Sequence, residues 1–544
     1  MTETTAPAGA ADRTNTAPEV LIVGAGPIGL TLAISLRAAG VSVTVLEAHS
    51  GLSTHPKARG ISARSMETFR ALGLEAAIRA VALPADQIRF FRGDTLADPD
   101  FTRSEPPTTH ASGATPAPGV LCSQDVLEPV LCEAARAAGA ELRFGHRVTE
   151  VLADADGVRV RALGPAGAVA ELRAAFLVGC DGAGSTVRRA AGIPLQGERG
   201  IARFLSIRCA AELTEVVRDR AAASYFLTGG KGGFLAIDNR TQWIYQYPLP
   251  DGDDGAGLRE DPAALGALVR AAAGLPELAV DVQDTLVWRM DARIADSYRA
   301  GRILLAGDAA HQTPPTGGHG MNVGIGDAEA LAWRLAAVLA EQAGPELLDD
   351  YTRERRPVGA AIIEISRGNF GGRYGIDDEL LLGVRVGAEP PLEPGPYAPA
   401  GDTGRRVPHA PLSDGGSTLD LLGGDWVLVS VDSERWSAEA VDAALASRAA
   451  ALPAGRRPVP VVLRQITGES EAEPGAFAAR AGLASAAGAT GEEPGGAAAT
   501  ALLVRPDGHI AARLRGPEEL AAALTAALGG AGRAGGAGGA GGAA

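Results

Sequence analysis

Cysteine is scarce in this chain: four residues among 544, Cys122, Cys132, Cys180 and Cys209, widely spaced and without a CxxC pair. That excludes a disulfide framework and a thiolate metal cluster, and it fits a reducing cytoplasm. Basic clusters are missing too. With a net charge of −15 and no stretch that gathers Lys and Arg, nucleic acid and anionic membrane are excluded as partners. No apolar core of signal-peptide length occurs near the N-terminus, where Thr, Ala and Pro dominate, so residues 1–18 read as a disordered leader. Metal ligands are also lacking: Asp308 and His311 are suitably spaced, but no third ligand accompanies them, and no metal is expected. One uncharged run, Val20 to Leu36, approaches the length of a membrane span. Its Gly-x-Gly-Pro-x-Gly centre splits it into a strand and a helix, so no span is expected.

What is present is a globular composition, 46% hydrophobic and 21% charged, long enough for roughly three domains. The first unit is βαβ: strand 20–23, glycine turn 24–29, helix from Pro27 to about Ala39, and strand 42–46 ending in Glu47. Gly24 suits the tight turn, Gly26 the close approach of a pyrophosphate and Gly29 helix–strand packing. Glu47 lies 18 positions beyond Gly29, where an acid accepts hydrogen bonds from an adenosine ribose. Such a carboxylate repels a ribose 2′-phosphate, which disfavours NADP here and leaves NAD and FAD undistinguished. Lys57, Arg59 and Arg64 follow on a loop that runs into a helix, and Ser123-Gln124-Asp125 begins another helix. A second strand–loop–helix corner carries Asp181-Gly182. Asp181 either caps the helix that follows or reaches a cofactor.

Residues 302–339 form a third corner: an apolar strand, the carboxylate Asp308, a loop stiffened by Pro314 and Pro315, then an amphipathic helix starting near Met321. Gly317, Gly318 and Gly320 let something flat lie against the main chain, in front of a positive helix end. Between the second and third corners, strands rich in aromatics (Tyr225 and Phe226, Phe234 to Ile237, Trp243 to Pro248) indicate a sheet whose one face walls a pocket for an apolar ring system. After a Pro- and Gly-rich linker, strands at 426–431, 459–463, 501–504 and 509–512 alternate with helices and resemble a small thioredoxin-like domain. It has no cysteine, which excludes thiol redox chemistry.

The motifs Gly24-x-Gly26-x-x-Gly29 with Glu47, Asp181-Gly182 and Gly307-Asp308-Ala309-Ala310-His311 together resemble the single-component FAD-dependent aromatic hydroxylases, in the polyketide hydroxylase branch that acts on tetracenomycin-, anthracycline- and angucycline-type rings. The resemblance covers nearly the whole chain. It implies an α/β chain with a Rossmann-like FAD-binding domain (19–200 and 291–386), a β-sheet substrate domain (201–290), a linker (387–411), a thioredoxin-like domain (412–528) and a Gly/Ala tail (529–544). Carried over by position, it has Gly24, Gly26, Pro27, Gly29 and Glu47 holding the adenosine side of FAD, and Arg59 and Gln124 touching flavin or phosphates. Asp181 and Gly182 serve both FAD and the nicotinamide, Gly307 and Asp308 hold the ribityl chain, and Pro315, Gly318, Gly320, Met321 and Asn322 frame the flavin ring. Pro315 and Gly318 are thereby the candidate catalytic backbone, with Tyr225, Arg92 and Arg385 as substrate-side candidates by position. Gly184 and Lys57 depart from the commonest family pattern. The implied reaction uses NADPH or NADH and O2, proceeds through a C4a-hydroperoxyflavin and hydroxylates a polycyclic phenol. Baeyer–Villiger oxygenation on the same scaffold is the rival, a flavin halogenase is a more distant one, and a non-catalytic flavin- and ligand-binding protein is the alternative from another class. A homodimer is the candidate assembly.

Overall fold

The computed structural model describes residues 17–83, 89–104, 113–369, 378–387, 397–484 and 498–529. The expected leader up to residue 16, the linker over 388–396, the low-complexity insert over 485–497 and the tail from 530 lie outside the described residues.

A six-stranded sheet runs in the order Arg299–Ala300, Ile303–Leu305, Phe176–Gly179, Val20–Val23, Val43–Leu46, Glu141–Arg143. All neighbours are parallel except the first pair. Val20–Val23 and Val43–Leu46 are buried along their whole length, as central strands covered on both faces must be. The helix Pro27–Ala38 packs against the long helix Gly320–Leu339. Gly307 and Gly324 make that approach possible, since a Cβ at Gly324 would sit 2.5 Å from Ile28.

The second sheet has eight strands, ordered His311–Gln312, Asp281–Ala295, Leu195–Ala210, Gln242–Pro248, Gly233–Ala236, Ser224–Leu227, Phe90–Gly93, Thr102–Ser104. Its two long strands, 16 and 15 residues, are the elements the sequence reading misses. Both carry charged residues along their length, which interrupts the apolar alternation that marks a strand.

The two faces of this sheet differ. One holds Leu205, Ile207, Tyr225, Phe234, Trp243 and Tyr245, all buried and packed under the helix Pro262–Ala273. The other holds Phe204, Phe226, Leu235, Leu286 and Trp288, which are only half-buried. This second face is turned to the loop over residues 54–59. Arg208 donates to the Thr54 carbonyl, His55 Nδ1 lies 3.1 Å from an Asp284 carboxylate oxygen, and Arg59 donates to the carbonyls of Ala223 and Ala236 at 2.7 and 2.6 Å.

The C-terminal unit is a four-stranded sheet ordered Val461–Gln465, Trp426–Ser430, Ala501–Val504, Ile510–Leu514, with only the first pair parallel. With the helices Ala438–Ala450, Ala476–Ala481 and Leu520–Ala527, this is thioredoxin-like topology. It docks on the long helix through Trp333, which packs with Trp426 and Trp436 and donates its indole N–H to Asp507 at 3.0 Å. Glu354 bridges Arg334 (2.6 Å) and Arg505 (2.9 Å), buried at the same junction.

Candidate functional site

Three corners of the six-stranded sheet come together: Gly24 abuts Cys180, and Arg188 donates to the Ala309 carbonyl at 3.1 Å. At the first, Gly24 has φ +104, and a Cβ there would lie 2.3 Å from the Cys180 carbonyl oxygen, while one at Gly29 would lie 2.0 Å from the Gly24 carbonyl oxygen. The fold itself requires both glycines. Gly26 is different: its φ is −76 and a Cβ would meet nothing within 4 Å. Nothing in the protein demands glycine there, so the open space is room for a group from outside the chain. Glu47 closes this corner by accepting from the Ala25 N–H at 2.9 Å and the His49 N–H at 2.8 Å. Burial raises its pKa, but these bonds outweigh that and hold the carboxyl below its usual range.

At the second corner, Asp181 takes the helix-capping alternative. It accepts from the N–H groups of Thr186 (2.6 Å) and Val187 (3.1 Å) and from the Ser185 hydroxyl, so both its oxygens are engaged at the start of the helix Thr186–Ala190. Gly182 has φ +72 and open space where a Cβ would be.

The third corner presents Asp308. Its residue is exposed to the cleft although protein encloses it on its other sides. That enclosure raises its pKa, and the nearby His311 and Lys57 charges lower it. Lys57 is also exposed. The turn carrying Asp308 is fixed from behind by Asp327, a wholly buried residue on the long helix. Asp327 accepts from the Gly307 N–H (3.1 Å), His311 Nε2 (2.6 Å) and Arg355 Nε (2.8 Å). Burial raises the Asp327 pKa, but His311 and Arg355 more than offset this and keep it ionised. Among the described residues no group of three metal-ligating side chains occurs, and His311 serves this buried network.

Beyond Asp308, Pro314 is buried and Pro315 exposed, and Gly317 and Gly318 have φ +105 and +69. The helix then starts at Gly320, one residue before the expected Met321. Asn322 is buried and ties three segments: it accepts from the Ser62 N–H (2.8 Å) and donates to the carbonyls of Gly60 (3.0 Å) and Gly318 (2.8 Å). The loop is therefore held in place rather than left free, with the positive helix end behind it.

The remaining candidates have these partners within the protein, and Tyr225 is the one moved off the substrate side. Tyr225 is wholly buried on the packed face, its hydroxyl bonded to Asn239 (2.9 Å), the Arg220 carbonyl (3.0 Å) and the Ala222 N–H (2.9 Å), so it is a core residue and not a substrate contact. Its neighbour Phe226 takes the cleft face. Arg59 binds two sheet carbonyls, and burial lowers its pKa to about 10. The Gln124 side chain donates to Glu128 at 2.6 Å. Arg385 donates to the Thr403 carbonyl at 3.3 Å, toward the C-terminal unit. Of the substrate-side candidates, Arg92 alone lies on the half-exposed face, in register with Phe226.

A Gly-rich dinucleotide corner, an exposed carboxylate turn and a helix end facing an aromatic sheet define a class of flavoprotein, and the comparisons agree. Residues 17–366 match the FAD binding domain family and residues 400–531 the C-terminal domain of aromatic-ring hydroxylases, so this chain belongs to the FAD-dependent aromatic-ring hydroxylases. Its relatives include putative polyketide hydroxylases of Streptomyces. It is 35% identical to the tetracenomycin A2 monooxygenase-dioxygenase of Streptomyces glaucescens over 94% of this chain and 96% of that one. It is 34% identical to the aklavinone 12-hydroxylase RdmE of Streptomyces purpurascens, covering 91% and 95%. A ternary complex of aklavinone-11 hydroxylase with FAD and aklavinone superposes with a TM-score of 0.81 at 31% identity, over 94% and 99% of the two chains. The chain is an enzyme, an FAD-dependent aromatic monooxygenase. Among the described residues no helix is long and apolar enough to cross a membrane.

Proposed function

We propose that this enzyme takes electrons from NADPH or NADH, uses O2, and hydroxylates a polycyclic aromatic of the polyketide class held against the half-exposed sheet face. The observation that carries this reading is the opposition of two surfaces across one cleft. On one side stand the Asp308 carboxylate and the start of the long helix. On the other are the half-buried rings of Phe204, Phe226 and Trp288.

FAD fits the first surface. Gly26 leaves space where the pyrophosphate would lie, Glu47 would accept from the adenosine ribose hydroxyls, and Asp308 would accept from the ribityl chain. The first-turn N–H groups of the long helix have no partners within the helix and would face the pyrimidine side of a bound flavin. A helix end stabilises negative charge there by about 0.3–1 kcal/mol, and by more where water is excluded. FAD supplies hydride acceptance and oxygen activation.

The rest is the protein's own work. Pro315 and Gly318 belong to a backbone edge held through Asn322, which would support the flavin ring. The aromatic wall displaces water, which strengthens polar contacts inside the cleft. A phenol with pKa ~10 reacts faster as its phenolate. Arg92 supplies the positive charge that favours that form.

The test is a screen of polycyclic aromatic polyketides for stimulated NADPH oxidation by the FAD-loaded enzyme, with mass detection of products. The reading expects a ligand that accelerates oxidation and gains one oxygen as a ring hydroxyl. A lactone by NMR would assign Baeyer–Villiger chemistry instead, and binding without stimulated oxidation would make the protein a carrier.

A further inference from the structure

The half-exposed sheet face carries a polar group that the reading above leaves without a task. Cross-strand pairing places Leu286, Ser206, Gln246, Gly233, Phe226 and Arg92 in one row. In its middle, Gln246 Oε1 accepts from Ser206 Oγ at 2.8 Å and from Trp288 Nε1 at 3.0 Å. An indole N–H can only donate, so the carboxamide must turn its oxygen toward Trp288 and its NH2 away. Trp288 is itself fixed, stacked on Phe204 with ring centroids 4.6 Å apart and planes 14° from parallel. The Gln246 NH2 makes no hydrogen bond within the described residues and is not enclosed, and its cross-strand neighbour Gly233 has no side chain to cover it.

The position of this amide along the sheet matters. The strand Asp281–Ala295 touches the flavin-side loops at two places: Asp284 meets His55, and Arg293 and Ile294 pair with Gln312 and His311 just before Pro314. Trp288 lies between these contacts. The oriented amide therefore belongs to the stretch of sheet that spans the cleft.

We propose that Gln246 is a specificity-determining residue: a preset donor that selects polycyclic aromatics bearing a ring carbonyl, a quinone or keto oxygen, and anchors that oxygen beside the Phe204–Trp288 stack. This rests on the reading of the cleft as the substrate site. A hydrocarbon ring of the same shape would desolvate the NH2 without giving it an acceptor, so the site discriminates by penalty as well as by attraction. Ser206 and Trp288 are positioning residues, acting through the orientation of the amide.

The experiment titrates the FAD-loaded full chain, without NADPH, with anthraquinone-2-sulfonate and anthracene-2-sulfonate, and follows the flavin absorbance. The wild type is expected to bind the quinone at least about ten-fold more tightly. Gln246→Leu should bring the ratio close to one by weakening only the quinone, and Gln246→Glu, which offers no donor when ionised, should weaken the quinone further. Trp288→Phe, which keeps a ring but frees the amide to rotate, should give an intermediate loss and covers the case in which a Gln246 variant fails to fold. No quinone preference in the wild type, or an unchanged preference in Gln246→Leu with normal flavin content, overturns the inference. The outcomes separate from those of the oxygenase reading. A Gln246-dependent preference without any stimulated NADPH oxidation would sink that reading alone, and stimulated oxidation with an unchanged ratio would sink this inference alone.

Discussion

Replacing Asp327 by Ala should unfix the turn that presents Asp308. In the wild type this buried carboxylate satisfies three donors at once, on Gly307, His311 and Arg355. Its removal leaves the Arg355 guanidinium, 6% exposed, without the countercharge that justifies its burial. Breaking a buried ion pair from one side costs about 3–5 kcal/mol, and the orphaned Gly307 N–H and His311 N–H add to that. For a chain of this size such a loss lowers the melting temperature by roughly 3–5 °C. Because the turn carrying Asp308 moves with it, flavin retention should fall as well. The assay is a thermal melt of the purified protein with and without added FAD, together with flavin content after gel filtration. Asp327→Ala with Arg355→Met removes both charges and should melt higher than Asp327→Ala alone. A single variant that melts within about 2 °C of wild type and keeps full flavin would refute the assignment of this network as the support of the Asp308 turn.

Three further outcomes follow from the same geometry. Asp308→Ala should lose most bound FAD in gel filtration while keeping the far-UV spectrum of the wild type, since the residue is exposed; a fully yellow protein would displace the ribityl contact from this residue. Glu354 is buried between Arg505 and Arg334, which hold its carboxyl down to about 2 against the opposing effect of burial. Its stabilising contribution is therefore present above the ordinary carboxylate pKa of about 4.5 and is lost as pH falls toward 2. Acid melts should show Glu354→Gln losing stability relative to wild type at pH 7 and converging with it near pH 2; a constant difference would contradict the shift. Tyr225→Phe should cost about 1–2 kcal/mol of stability, by removing the buried hydroxyl's bonds to Asn239 and the Arg220 carbonyl, and leave ligand affinity within about two-fold. A large affinity loss would return Tyr225 to the substrate side.

How much of this was legible in the sequence differs from corner to corner. Gly24, Gly26 and Gly29 announce a dinucleotide turn because their spacing maps onto backbone requirements, and the structure separates the two that the fold needs from the one it does not. The helix after Gly320 was visible from its apolar stripe and the stiff loop before it. Faces of a sheet are another matter. Tyr225 and Phe226 are adjacent, and a single step of register decides which one packs in the core and which looks into the cleft. Asp181 was open between a cap and a cofactor contact in the sequence, and the structure adds that its two oxygens cap a helix five residues long. Asp327 carried no readable signal, because its partners His311 and Arg355 come from separate elements and meet only in three dimensions. Gln246 was hidden for the same reason: its meaning comes from Ser206 and Trp288, which reach it across two strand pairings.

The most direct test of the central claim is isotopic. The FAD-loaded enzyme, given NADPH and a polycyclic phenol that accelerates NADPH oxidation, is run under 18O2 in ordinary water and the product is analysed by mass spectrometry and NMR. The account predicts a single new ring hydroxyl whose oxygen is 18O. An unmodified phenol accompanied only by hydrogen peroxide, or a hydroxyl carrying oxygen from water, would contradict it.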